Sequence, residues 1–164
     1  AFKKYEFDAH GIEMNQRYAS DAIVTDEQVE PAFAKDEVLH YQPTTWPGAR
    51  IPHAWVFDAI GGKHSTLDLV GGGKFTLLTG LGGEAWCEAA KAVGDALGIE
   101  IACHVIGPRQ TYVDHTGDWA RSREIGDAGC VLVRPDQHVC WRSDALSADP
   151  KADLKRVMTS ILAL

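Results

Sequence analysis

The feature that most constrains the fold is a strand, a helix and a second strand that follow one another closely. Lys74–Thr79 is a mostly apolar run, Glu84–Leu97 carries apolar residues at helical spacing, and Ile99–Ile106 is β-branched at both ends. Gly98 follows the helical pattern directly, where a left-handed glycine ends many helices. Because a short crossover through a helix joins parallel neighbours, this stretch predicts a βαβ unit.

The rest of the C-terminal half extends this pattern. A short helix is predicted from Asp118 to Ile125, a hairpin from Cys130–Arg134 and His138–Arg142, and a last helix that begins at Pro150. Strand, helix, strand, helix, hairpin, helix is the element order of a thioredoxin-like domain. Where such a domain carries its Cys-x-x-Cys motif, Gly80–Trp86 has no cysteine pair. We therefore expect an α/β fold with a mixed sheet flanked by helices and without the redox dithiol.

The first part of the chain is less regular. It is polar up to about residue 30, with one β-rich run at Tyr18–Val24. Gln42–His53 contains three prolines, which exclude a helix or a central strand and favour an ordered, extended arm. The alternation in His64–Val70 predicts a half-buried strand, which could neighbour Lys74–Thr79 in one sheet across the glycine turn. We expect residues 1–60 to form a leading segment with the arm, and residues 61–164 to form the thioredoxin-like domain.

Charge and hydropathy exclude two classes of partner. The net charge is -7, from 16 basic and 23 acidic residues, and Lys and Arg never form a run longer than two. A basic face for nucleic acid or anionic membrane is therefore not expected. No apolar run approaches the roughly 20 residues that a membrane span needs. The chain opens at Ala1 within patterned sequence, which suggests a piece of a longer protein, although removal of an initiator Met would also explain it.

The four cysteines, Cys87, Cys103, Cys130 and Cys140, show no close pairing. In a cytoplasmic protein of this size we expect buried, reduced thiols, with no bond between the two hairpin cysteines. Cys103 and His104 are neighbours on a strand and point to opposite faces, so they cannot share a metal ion. Cys87 lies early in a helix, where a thiol can be activated, but no resolving cysteine is near it in the sequence.

Two further motifs invite a functional interpretation. Gly71–Lys74 and Gly80–Gly83 are glycine-rich, but neither matches a nucleotide-binding fingerprint, so tight turns are expected. Asp114, His115 and Asp118 resemble an acid/base cluster, but no nucleophile motif accompanies them. Capping and orienting the short helix is the favoured role for Asp118–Arg121, and Asp114 and His115 are expected to be ordinary solvated loop residues.

Five segments together resemble the C-terminal region of flavin-dependent aromatic hydroxylases, specifically the chlorophenol hydroxylase branch of the phenol hydroxylase family. The segments are Tyr41–Trp55, Ser65–Leu69, Phe75–Gly80, Gly117–Ala120 and Val131–Asp136. Residues 10–24 are similar to the end of that family's middle, substrate-binding region. The sequence departs from the family pattern at Gln137, where a hairpin glycine is common, and at Cys140, where a small residue is common.

The resemblance implies a role within a larger enzyme. Whole members of the family bind FAD and use NAD(P)H and oxygen to hydroxylate a phenol ring ortho to its hydroxyl. Their dinucleotide fingerprint has no counterpart here, so we expect this cytoplasmic chain to be non-catalytic alone and to bind no cofactor. Its expected partners are the N-terminal FAD and substrate domains of the same protein and, further, a second copy in a homodimer.

Candidate interdomain contacts follow from the arm and the leading segment. Arg50, Pro52 and His53 end the stiff arm, and an Arg and a His held there could pair with carboxylates or carbonyls on a neighbouring domain. Salt bridges within this domain are the alternative. Arg17 and Tyr18 complete the set. Two other functions stay open from the sequence: an autonomous thiol enzyme that uses Cys87, and a stand-alone dimerisation module.

Overall fold

The computed structural model describes residues 2–26 and 29–164. The helices of this part are α1 (Phe2–Phe7), α2 (His10–Met14), α3 (Thr66–Leu69), α4 (Glu84–Leu97), α5 (Asp118–Ser122) and α6 (Pro150–Leu162). The strands are β1 (Trp55–Asp58), β2 (Lys63–Ser65), β3 (Phe75–Thr79), β4 (Ile101–Val105), β5 (Tyr112–Val113), β6 (Cys130–Val133) and β7 (Val139–Ser143).

A four-stranded mixed sheet forms the centre of the molecule, in the order β4-β3-β6-β7. Strands β3 and β4 are parallel, with Phe75 opposite Ile101, and α4 crosses between them. Strand β6 is antiparallel to both β3 and β7. The βαβ unit and the hairpin expected from the sequence are therefore confirmed, as is the mixed α/β fold.

One face of this sheet is covered by α4 and α6. Alternate residues of β3 and β6, Leu77 and Leu132, point to this face and are fully buried. They pack against the apolar stripes of the two helices, and Trp86 of α4 meets Trp141 of β7 edge to face, with ring centroids 5.5 Å apart. Helix α4 begins and ends as predicted, with Gly98 left-handed after it, and α6 begins as predicted, with the Asp149 carboxylate as its cap ahead of Pro150.

The other face of the sheet carries a second core and a small sheet. Strands β2, β1 and β5 form this three-stranded antiparallel sheet, with β1 in the middle. Leu78 and Val131 of the central sheet pack here against Ile51 and Val56. Residues before position 60 therefore share a core with the central sheet.

The strand predicted over His64–Val70 is wrong after Ser65. Only β2 is a strand there, and it pairs with β1 and not with β3, the neighbour that the sequence had allowed. The chain then turns into α3 because Ser65 and Asp68 form a reciprocal capping box: the Ser65 hydroxyl accepts from Leu67 N and the Asp68 carboxylate accepts from Ser65 N. The Tyr18–Val24 run is also not a strand.

Residues 43–53 lie along the edge of β7 that does not pair with β6. The amide of Gly48 donates to the Val139 carbonyl (2.7 Å), the amide of Val139 donates to Ala49 (2.9 Å), and the amide of Ile51 donates to Gln137 (2.9 Å). Prolines at 47 and 52 flank these donors, so their missing N–H groups interrupt none of the bonds. This stretch satisfies backbone groups that an edge strand would otherwise leave unpaired.

The expectation of reduced thiols is wrong for two of the four cysteines. Cys87 of α4 and Cys103 of β4 form a disulfide, with their Cα atoms 5.3 Å apart. They are 16 residues apart in sequence, and it is the packing of α4 against its own crossover strand that brings them together. Cys130 and Cys140 are free and buried, as predicted.

Candidate interdomain surface

The N-terminal segment, residues 2–26 and 29–40, has an unusual surface. Six large apolar side chains are exposed within it, and Phe7 is 75% and Val29 90% accessible. The six are Tyr5, Phe7, Ile12, Met14, Tyr18 and Val29. In the longer remainder of the described chain, the exposed large apolar residues are single and scattered. A concentration of such side chains is typical of a surface that contacts another protein part.

Polar contacts hold this segment together. The Asn15 side chain amide donates to the carbonyls of Glu37 (2.8 Å) and His40 (2.7 Å), and its oxygen accepts from Gln42 N (2.8 Å). Gly11 lies so close to Glu37 that a Cβ at this position would be 1.8 Å from the Glu37 carbonyl oxygen. The segment is therefore a defined structure, although its apolar side chains face outward.

Asp26 joins the segment to the main body. Its carboxylate accepts from Trp141 Nε1 at 2.6 Å and pairs with Arg156 of α6 at 2.9 Å. Nearby, Val24 N donates to the Cys140 carbonyl (2.8 Å). Partial burial alone would raise the pKa of Asp26, but hydrogen bonds from Arg156 and Trp141 outweigh it and lower this pKa below its ordinary value.

Arg17 is engaged within the segment. Its guanidinium donates to Glu30 (3.0 Å) and to the Pro31 carbonyl (2.6 Å), and it lies 4.2 Å from the centre of the Phe33 ring. The side chain is only 9% exposed. The backbone of Arg17 forms an isolated bridge with Ala49, so this residue connects the segment to the arm.

Tyr18 and Arg50 lie near one another at the hairpin turn. The exposed Tyr18 ring meets His138 edge to face at 5.2 Å, and Arg50 is bridged to His138 through the backbone. Arg50 is exposed and donates to Gln137 Oε1 at 2.7 Å. An open cleft of about 330 Å³ lies beside Tyr18, His138 and Arg134. These two candidate contact residues therefore belong to one patch.

His53 belongs to a different cleft. Its Nδ1 lies 2.7 Å from the Ser65 hydroxyl, and its ring meets Trp55 edge to face at 4.5 Å. Both residues line an open cleft of about 470 Å³ that Asp118 and Arg121 also border. Pro52 is buried, and its carbonyl accepts from the Thr66 hydroxyl (2.7 Å), so this residue positions the arm beneath the surface.

The acidic cluster at the start of α5 has a capping role. Asp114 accepts from the amides of Asp118 (3.1 Å) and Ala120 (2.9 Å), and Asp118 pairs with Arg121. A hydrogen bond from the Thr116 hydroxyl is the main reason that the pKa of Asp118 lies below its ordinary value. Within residues 2–26 and 29–164, no group of three His, Cys, Asp or Glu side chains is arranged to hold a metal ion. Among the described helices, none combines the length and apolar character that crossing a bilayer requires.

The glycine-rich segment before α4 forms a tight turn. Gly80 N donates to the Asp127 carbonyl (2.9 Å), and a Cβ on Gly80 would lie 2.6 Å from that same oxygen. A Cβ on Gly83 would lie 1.9 Å from the Thr79 hydroxyl oxygen. Gly80 and Gly83 are therefore packed against the chain itself, as in the tight turn that the sequence predicts, while Leu81 and Gly82 between them are exposed.

The comparison with known families identifies the chain. The family of aromatic-ring hydroxylase C-terminal regions matches residues 44–163. The chain belongs to this family. It is 51% identical over 159 residues to a 2,4-dichlorophenol 6-monooxygenase of Cupriavidus pinatubonensis, and 46% identical over 157 residues to a phenol 2-monooxygenase of a Pseudomonas species. Each match covers 96% of this chain but 26% of the relative, so the chain spans about a quarter of their length.

Solved structures agree with this assignment. The flavin-dependent monooxygenase PieE, solved with FAD and substrate, superposes with a TM-score of 0.87 at 46% identity, over 95% of this chain and 26% of that one. Aklavinone-11 hydroxylase, solved with FAD and aklavinone, gives 0.78 at 35% identity, over 91% and 26%. The resemblance to the phenol and chlorophenol hydroxylases inferred from the sequence is thereby confirmed.

Proposed function

We propose that this chain is the C-terminal, non-catalytic domain of an FAD-dependent phenol or chlorophenol ortho-hydroxylase that uses NAD(P)H and oxygen. Its role is to pack against the FAD and substrate domains that precede it in the longer protein. The family membership supports the parent activity, since the similar curated relatives are a dichlorophenol and a phenol monooxygenase. Two structural relatives were solved with FAD, and each is about four times as long as the matched region, which supports a parent enzyme in which the preceding domains hold FAD.

The observation that carries this proposal is the set of six exposed apolar side chains in the N-terminal segment. In the relatives, about three quarters of the length lies outside the matched region, so a large part of the protein is available to cover them. Each Å² of apolar surface removed from water contributes roughly 25 cal/mol, so several such side chains suffice for an interdomain contact. The occupant of this surface is the catalytic part of the same protein.

The polar candidates divide between direct and supporting roles. Tyr18, Arg50 and His53 are exposed and are the residues that contact the neighbouring domain. Arg17 and Pro52 support these residues without contacting the neighbouring domain. Arg17 connects the segment to the arm, and the Pro52 carbonyl accepts a hydrogen bond that holds the arm to α3. A homodimer that uses part of the same surface is a further role within this proposal, as is a cytoplasmic location.

The fold proposal is a thioredoxin-like domain at residues 61–164, preceded by a leading segment and proline-rich arm at 1–60. The strand order β4-β3-β6-β7, with one parallel and two antiparallel pairs, supports the thioredoxin-like topology. The hydrogen bonds of Gly48 with Val139 of β7 and of Ile51 with Gln137 in the hairpin turn support an ordered arm. The core shared by Ile51 and Val56 with the central sheet indicates that the arm folds with the domain.

The test is to supply the preceding part of the same protein together with this chain. The chain alone is expected to purify without visible flavin absorbance and without phenol hydroxylation. With the preceding part added, it is expected to co-purify in a complex that retains FAD. The double variant F7E/I12E should weaken this association at least tenfold, measured by titration calorimetry.

A matched control is Leu164→Glu, which adds a charge at a side chain 73% exposed but outside the segment. It should leave the affinity unchanged. The proposal fails if the isolated chain retains stoichiometric flavin, or if L164E weakens the association as strongly as the double variant.

A further inference from the structure

The molecule contains two pairs of cysteines in contrasting surroundings. Cys87 and Cys103 are bonded to each other, and each is only half-buried. Cys130 and Cys140 are fully buried and free. Burial raises the pKa of both free thiols well above the ordinary value, so these two thiols are protected from thiol chemistry.

The bonded pair joins two elements that meet at the edge of the molecule. Strand β4 is the end strand of the central sheet, so one of its sides has no neighbouring strand there. Cys87 lies in the first turns of α4, which packs on β4 and also on α6. The bond therefore links the beginning of a long helix to the strand that the same helix leads into, and both of its residues are partly exposed.

We propose that Cys87 and Cys103 form a reversible thiol–disulfide site that exchanges with small thiols and disulfides. In the reduced state, the amide dipoles at the start of α4 stabilise a thiolate on Cys87. This thiolate attacks a small disulfide, forms a mixed disulfide and releases one small thiolate. The Cys103 thiolate then attacks the Cys87 sulfur and releases the second small thiolate. The protein loses two electrons and two protons, and the small disulfide becomes two thiols.

The consequence is a disulfide bond that forms or breaks according to the redox conditions. When it is formed, the disulfide closes a loop with a sequence separation of 16 residues and thereby restricts the unfolded chain. When the disulfide is reduced, α4 remains packed on the sheet through its apolar contacts, which do not depend on the sulfur bond. The site thus adjusts the stability of the domain without rearranging its core.

The first experiment uses the unmodified chain and a maleimide label under native conditions. Before reduction, no cysteine should react; after dithiothreitol, peptide mapping should find label on Cys87 and Cys103 and none on Cys130 or Cys140. Oxidised glutathione should restore the Cys87–Cys103 peptide. Reduction should lower the Tm by roughly 6–12 °C, from the loop-closure term and the usual shift per kcal/mol at this size.

Single variants separate the two steps. With oxidised glutathione, C103S should accumulate a glutathione adduct on Cys87, and C87S should react more slowly. The double variant C87S/C103S should melt at a temperature that dithiothreitol does not change. The proposal is overturned if the Cys87–Cys103 peptide is absent from oxidised protein, if reduced protein does not re-form it, or if the buried pair labels equally fast.

Discussion

The N-terminal segment and the central sheet use apolar residues in opposite ways. In the central sheet, Leu77, Leu132 and Val131 are fully buried between packed layers. In the segment, Phe7, Ile12 and Tyr18 face outward, while polar bonds around Asn15 hold the backbone. The body, here the central sheet with α4 and α6, buries its apolar residues within this chain, whereas the segment exposes several of them. Under the proposed function, the preceding domains cover the segment, and the relatives are about four times as long as the matched region.

The largest effect should come from a cavity in the body. Leu77→Ala removes a side chain with no exposure, at the contact between α4 and the sheet, and should lower the free energy of unfolding by about 3–4 kcal/mol. Urea denaturation followed by circular dichroism measures this. A loss below about 1 kcal/mol would mean that the core around Leu77 is loosely packed, and the contrast with the N-terminal segment would not hold.

A smaller effect is expected where the segment meets the body. Asp26→Ala removes the acceptor for Trp141 and Arg156 and should cost about 1–2 kcal/mol, because Trp141 Nε1 is left without its partner. The folded pKa of Asp26 is lowered, so its stabilisation is present above the unfolded carboxyl pKa and is lost as pH falls through the folded one. Exposed Asp21→Asn is the control and should be neutral in chemical denaturation at pH 7.

His104 in β4 should make the stability of the body depend on pH, and at a higher pH than the contacts of Asp26 with Trp141 and Arg156 do. Burial, aided by the charge of Lys74, lowers the pKa of His104 from 6.5. The unfolded chain therefore binds this proton first, so stability should fall as pH drops from about 6.5 towards the lower folded pKa. Melting temperatures between pH 7 and 5 should show this slope in the wild type and a weaker slope in H104N. An unchanged slope in H104N would exclude His104 as its source.

The smallest effect on stability should come from the segment surface. Phe7→Ser should change the free energy of unfolding by less than about 0.5 kcal/mol, because the side chain is 75% exposed. The same change should reduce binding of a hydrophobic dye to the isolated chain. A loss of unfolding free energy as large as that of L77A would show that Phe7 packs within this chain, which would contradict the contrast between the segment and the central sheet.

Sequence patterns predicted those parts that depend on neighbours along the chain. The bounds of α4 follow from its apolar spacing and Gly98, and α6 follows from Asp149 and Pro150. The His64–Val70 strand failed because alternation and a capping box overlap in Ser65–Asp68, and the cap is the stronger local signal. The cap of α5 was assigned to Asp118–Arg121, whereas in the structure Asp114 accepts from the first amides of that helix and Asp118 pairs with Arg121.

The candidate surface could be predicted only in part. Arg50 and His53 were identified from the stiffness of the arm, and both are exposed. The inward turn of Arg17 was not visible, because Glu30, Pro31 and Phe33 surround it only after the segment folds back. The Cys87–Cys103 bond was not predicted, because cysteines 16 residues apart show no local pairing pattern. A helix that leads into a parallel strand packs on it, and that geometry was the available signal.

The amino-acid order alone determined the family, the βαβ unit, the hairpin and the helix ends, because caps, turns and apolar periods act over a few residues. Tertiary structure decided the second sheet, the sulfur bond and which charged side chains face outward. Those outcomes depend on strand register and on layers that meet across long stretches of chain. A local pattern carries no information about either until the core has formed.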